Sequence, residues 1–113
     1  MNNNPIAHKI NRLPRIVRLI CSNSKAWLVG SAADPNNPTP KDYDVAVSFS
    51  EWPNIALLIP KDAKPTLFGG WKFISDKKEV DVWPAEIIDI FAYSKCEWMW
   101  QPSLNIRIRR NRH

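Results

Sequence analysis

Residues 28–48 read Leu-Val-Gly-Ser-Ala-Ala-Asp-Pro-Asn-Asn-Pro-Thr-Pro-Lys-Asp-Tyr-Asp-Val-Ala-Val-Ser. The apolar run Ala26–Val29 predicts a short strand that ends directly at Gly30-Ser31. Three prolines within residues 35–40 exclude regular structure there and predict a loop. Tyr43–Val47 then alternates. Tyr43, Val45 and Val47 fall on one face of a second strand, and Asp42 and Asp44 fall on the other.

Working outward, Leu13, Val17 and Ile20 recur at helical spacing, which predicts a helix over Asn11–Ser22. Asn11 would be its N-cap, and Pro14 would sit in the first turn, where a missing N–H costs no helical bond. Trp52–Leu58 reads as a short helix with Ser50 as N-cap and Pro53 in its first turn. Pro60–Pro65 reads as a turn region. Thr66–Phe68 is a strand candidate, Gly69-Gly70 a reversal, Trp71–Ile74 a returning strand and Ser75–Lys78 a polar turn. Glu79–Trp83 alternates again, with Val80 and Val82 on one face and Asp81 on the other. Pro84 can open a helix that runs to Ala92. Trp98, Trp100, Leu104, Ile106 and Ile108 predict a final extended segment. The order predicts one α/β (α+β) domain over 1–113, with a small mixed sheet and helices mainly on one face. Residues 1–8 and 109–113 are expected to be flexible ends.

The chain has 113 residues, of which 44% are hydrophobic and 24% charged, as in a folded globular domain and unlike a disordered one. No apolar run approaches the ~20 residues of a membrane span, and the N-terminus lacks the apolar core of a secretion signal. Cys21 and Cys96 make no disulfide framework and are expected to be reduced thiols, which points to the cytoplasm. The net charge of +5 is unevenly spread. Residues 1–25 hold five Lys/Arg and no acid, residues 26–94 hold six Lys/Arg against ten Asp/Glu, and residues 95–113 hold five Lys/Arg and one Glu. Basic ends suit a polyanion such as RNA, and an acidic middle suits a cation.

Carboxylates at i and i+2 of a strand point the same way, with Cα atoms about 6.6 Å apart. If the Asp81 strand pairs beside them, Asp42, Asp44 and Asp81 face one region and can hold Mg²⁺ or Mn²⁺ together with phosphate oxygens. A glycine at a strand end lets backbone approach a phosphate, and the adjoining N–H groups and the Ser31 hydroxyl can donate to it.

Together these residues resemble the nucleotidyltransferase superfamily, which includes DNA polymerase beta, the tRNA CCA-adding enzymes and the minimal nucleotidyltransferases. The run over 28–48 is similar to the head of CCA-adding and poly(A) polymerase-like enzymes. The stretches Phe68–Phe73 and Val80–Pro84 also resemble small nucleotidyltransferase-like proteins, including phage-encoded ones, for which the compartment would be the host cytoplasm. The resemblance implies a polymerase beta-like fold. It also implies an enzyme that moves a nucleoside monophosphate from ATP or another nucleoside triphosphate to an acceptor hydroxyl on a tRNA or other RNA, a small molecule or a protein. Gly30 and Ser31 would hold the β- and γ-phosphates, Asp42 and Asp44 would bind the metals, and Asp81 would bind the catalytic metal and help deprotonate the acceptor.

Two departures stand out. Ala33 precedes Asp34 where the CCA-adding enzymes carry an Arg-Asp pair. Only 32 residues follow Asp81, whereas larger members carry a helical body there. The resemblance therefore leaves open a partner or second copy that supplies the acceptor site, or an inactive descendant that binds or inhibits. A sugar-nucleotide transferase with an Asp-x-Asp motif is a third reading, and such enzymes usually need a longer chain.

For each residue a plainer reading competes. Asp42 and Asp44 read alone are solvated acids on a half-buried strand, and Gly30-Ser31 and Asp81 weigh against that. Asp34 reads as a turn residue, and Lys41 as a surface lysine. Trp52, Trp83, Trp98 and Trp100 can stack on a base, but in so small a domain packing is the expected role. Arg107, Arg109, Arg110 and Arg112 suit nucleic-acid phosphates or an ordinary basic tail. His8 and His113 receive no role.

Overall fold

The computed structural model describes residues 10–88 and 98–109. The expectations placed on 1–8, 89–97 and 110–113 lie outside the described residues; these include His8, His113, Cys96, Arg110, Arg112 and the helix beyond Ile88.

The helix α1 spans Arg15–Asn23 and leads into β1, Trp27–Val29. A 3₁₀ turn over Gly30–Ala33 follows, then the proline loop and β2, Asp42–Val47. The helix α2, Trp52–Ile55, lies between two 3₁₀ turns, Phe49–Glu51 and Ala56–Leu58. Next come β3 (Lys64–Pro65), β4 (Trp71–Ser75), β5 (Lys78–Pro84) and α3 (Ala85–Ile88). The strands β6 (Trp98–Gln101) and β7 (Ile106–Arg109) complete the described chain.

All seven strands form one sheet in the order β3-β4-β5-β2-β1-β6-β7. Among the described residues, only the central β2·β5 pair is parallel; the others are antiparallel. The chain is thus a mixed α+β domain with a seven-stranded, mostly antiparallel sheet.

The core lies on one face of this sheet. Leu28, Tyr43, Val45, Val47, Phe73, Val80, Val82 and Trp100 point there and meet Leu13, Val17, Ile20 and Cys21 from the α1 region and Ile55 from α2. Burying each large aliphatic side chain contributes about 1.5–3 kcal/mol. Burial also pushes the Cys21 thiol up to about 12, so it stays protonated and acts as a small apolar filler. A smaller cluster of Val29, Ala46 and Met99, with Trp27 and Ala85, lies on the opposite face.

Several boundaries differ from the sequence reading. Pro14 is extended (ψ 149°) and precedes α1 rather than lying inside it, because a residue before proline avoids the helical region and Leu13 breaks the run. Asn11 is therefore not its N-cap. The first N–H groups of α1 go instead to the β4–β5 turn: Arg15 N donates to Asp76 Oδ2 at 2.7 Å and Ile16 N to Ser75 Oγ at 3.1 Å. That turn, Asp76-Lys77, has φ of 50° and 67°, as a two-residue hairpin requires. Ser50 does not cap α2, whose N-cap is Glu51 without a side-chain bond.

Thr66–Phe68 is not a strand. Thr66 and Gly70 close a turn (Thr66 N to Gly70 O, 3.0 Å), and the short edge strand is Lys64–Pro65. Pro84 is the last residue of β5, and the expected helix opens directly after it at Ala85. The final extended segment is a hairpin of two strands, and Arg109, expected in a flexible end, pairs with Trp98.

Candidate functional site

Strand alternation and the β2·β5 register together build an acidic strip on the face opposite the core. Asp44 stands directly beside Asp81, and Asp42 beside Glu79, in the parallel ladder. Adjacent strands are about 4.8 Å apart, so these carboxylates are immediate neighbours along the sheet. The same transverse row continues to Val29 of β1 on one side, and to Lys72 and Lys64 on the other. The condition set by the sequence, that the Asp81 strand lie against the Asp-x-Asp strand, is met. Asp42 is exposed, while Asp44 and Asp81 are half-buried.

The Asp81 carboxyl is raised above its ordinary value, chiefly by burial; Lys72 lowers it, and Glu79 and Asp42 raise it. Asp44 is oriented by two neighbours. Its Oδ1 accepts a bond from Trp83 Nε1 at 3.2 Å, and its Oδ2 lies 3.5 Å from where a Cβ on Gly30 would stand. Gly30 has φ +75°, a left-handed conformation that favours glycine. It turns the chain at the end of β1 and leaves Ser31 exposed beside the strip. Gly30, Asp42, Asp44 and Asp81 are thus brought to one region of one face, and the exposed Ser31 follows Gly30 in the chain.

Among the described residues, no group of three or more His, Cys, Asp or Glu side chains is gathered as a metal ion would require. The donor chemistry, carboxylates with Gly-Ser nearby, suits a hard cation. The carboxylates spread along the strip, one of them tied to an indole N–H.

Asp34 is a turn residue, as expected: its Oδ1 accepts from Asn36 N at 2.8 Å. The proline loop is pinned to β5 by Lys78 Nζ, which donates to Pro40 O at 3.1 Å. Three of the four tryptophans singled out belong to the core face. Trp100 is buried in it, Trp52 and Trp98 pack against it, and Arg107 and Arg109 lie over the rings of Trp100 and Trp98 at 4.7 and 5.7 Å. Those two arginines are therefore engaged with aromatic rings rather than forming a free tail. Trp83 is the exception, since it lies on the acidic face.

The sequence reading did not place two residues on this face: Trp83, for which packing was the expected role, and Lys72. Trp83 follows Asp81 by two positions, so the same alternation that placed Asp81 also places the indole beside it. Lys72 opposite Asp81 carried no signal, because register across the β4–β5 hairpin depends on where the turn falls.

Among the described residues, no helix is long and apolar enough to cross a membrane. No family model matches the chain, and neither the curated proteins nor the solved structures contain a match to it.

Proposed function

We propose that the chain is a metal-dependent nucleotidyltransferase of the polymerase beta-like fold. In this reading it transfers a nucleoside monophosphate from a nucleoside triphosphate to an acceptor hydroxyl. The observation that carries this is the Asp44·Asp81 register, which puts a third carboxylate beside the Asp-x-Asp pair, on the face reached by the Gly30-Ser31 turn.

Asp42, Asp44 and Asp81 would hold Mg²⁺ or Mn²⁺, which would supply positive charge against the phosphate oxygens. Side-chain rotation is enough to draw neighbouring carboxylates together at this strand spacing. The backbone and hydroxyl at Gly30-Ser31 hold the terminal phosphates, and Lys72 offsets their charge from the far side of Asp81. Asp81 accepts the proton of the attacking hydroxyl. The acceptor oxygen bonds to the α-phosphorus, the bond from that phosphorus to the bridging oxygen breaks, and pyrophosphate leaves with the electron pair. The basic Lys/Arg at both ends favour an RNA acceptor.

Label transfer from each α-labelled triphosphate into purified RNA and into lysate tests this. Incorporation that needs Mg²⁺ or Mn²⁺ and is lost in Asp42→Asn/Asp44→Asn is expected; incorporation that survives the double substitution contradicts the assignment.

A second reading, a binding or inhibitory protein on the same fold, is favoured by the ungathered carboxylates. It predicts a partner retained equally by the wild type and by the double variant, and no label transfer.

A further inference from the structure

We infer that Phe68 and Trp83 form a stacking shelf for the base of the nucleotide. The inference rests on the nucleotidyl-transfer reading and adds to it a subsite for the base. The rings of Phe68 and Trp83 are 5.6 Å apart between centroids and inclined at 37°. Trp83 lies on the acidic face, its Nε1 bonded to Asp44, so the shelf adjoins the carboxylates. Phe68 is 50% exposed, so part of its ring is free to meet a ligand.

The turn that carries Phe68 is held against β5. A Cβ on Gly70 would come within 1.9 Å of Val82 O, so only glycine allows this approach. Gly70 N also donates to Thr66 Oγ1 at 3.0 Å, which closes the turn behind Phe68. An apolar ring could have been buried in the core; here a braced turn presents it beside charged groups.

The occupant follows from position. Gly30 adjoins β1, and Trp83 is on β5, two strands away and three residues further along the sheet, so their backbones are about 14 Å apart. A nucleotide whose phosphates lie at Gly30-Ser31 and the carboxylates extends its base over that distance. A flat base has an aromatic face whatever its identity, so the shelf tolerates any base and reads no hydrogen-bond pattern. The aromatic pair also explains why one tryptophan of the four leaves the core face.

The test is equilibrium binding, with Mn²⁺, of ATP and of inorganic tripolyphosphate to the wild type, Phe68→Ala and Phe68→Leu. Phe68 is half-exposed on a turn, and thermal melting of each variant checks that the fold is retained. The shelf predicts ATP binding weakened roughly five- to hundredfold in both variants, the range for a lost base–aromatic stack, with tripolyphosphate binding unchanged. ATP affinity unchanged in both variants overturns the shelf and leaves the phosphate and metal reading standing. Equal weakening of ATP and tripolyphosphate also overturns it, because Phe68 would then act through the carboxylates. Binding of neither ligand to the wild type overturns the shelf together with the reading on which it rests.

Discussion

The two faces of β2 divide the work of this domain. Tyr43, Val45 and Val47 are at most 5% exposed and sit under α1 and α2. Asp42 and Asp44, at the alternate positions, stand on the other face beside Glu79 and Asp81. Alternate positions of a single strand therefore carry the core and the acidic strip. Like-charged side chains are crowded on a ladder that the opposite face holds in place, and the acidic face can change without unmaking the core.

The largest effect that separates the faces is expected from Val45→Asp. A carboxylate buried without a partner is strongly destabilising, by about 3–5 kcal/mol, against a total of roughly 5–15 kcal/mol for a domain. A cooperative thermal transition should be lost or lowered far below that of Asp44→Asn, whose fold should persist. Circular dichroism melting of the two variants measures the contrast, and equal melting would abolish it.

Gly30→Ala comes next. A side chain in the left-handed region costs roughly 1–2 kcal/mol, and the new Cβ would touch Asp44 Oδ2 at 3.5 Å, an ordinary contact. The penalty is thus one of backbone strain, and chemical denaturation should show a lowered midpoint with the slope unchanged.

Asp81 gives a smaller, pH-dependent effect. Its folded pKa lies above the unfolded one, so the native state holds this proton more tightly. The resulting stabilisation is full below the unfolded carboxylate pKa of about 3.9 and is lost as pH rises through the raised folded value. Asp81→Asn should therefore raise the melting temperature near neutral pH, and the gain should vanish in acid. A gain that persists unchanged in acid would assign it to something other than the carboxylate charge.

Glu86 shows the opposite sign and the smallest effect. Ser48 Oγ donates to it at 2.7 Å and Phe49 N at 3.1 Å, which holds its carboxyl below the ordinary value. Its contribution is present above the unfolded pKa and is lost as pH falls through the folded one. Glu86→Gln should lower the melting temperature slightly near neutral pH and not at all in acid.

The acidic face was legible because alternation is local: Asp44 and Asp81 each sit between inward-facing apolar neighbours, and Asp42 precedes the inward-facing Tyr43. The same rule extended two residues places Trp83, which the sequence reading treated as packing. Long-range pairings were not legible. The N–H groups of α1 find their acceptors in Ser75 and Asp76, about sixty residues away, so the helix start could not be read from Asn11 and Pro14. The parallel pairing of β2 with β5 rather than with a neighbouring hairpin is a matter of topology, and Lys72 faces Asp81 through the register of the β4–β5 hairpin, which depends on where its turn falls.

The account stands most directly on thermal melting with ATP, CTP, GTP or UTP in the presence and absence of Mg²⁺, in the wild type and in Asp42→Asn/Asp44→Asn. A ligand that binds only the native state at a hundredfold excess over its Kd stabilises it by about 2.7 kcal/mol. The account predicts a rise with at least one triphosphate that needs Mg²⁺ and is absent from the double variant. No rise with any of the four, or an equal rise in the double variant, would contradict it.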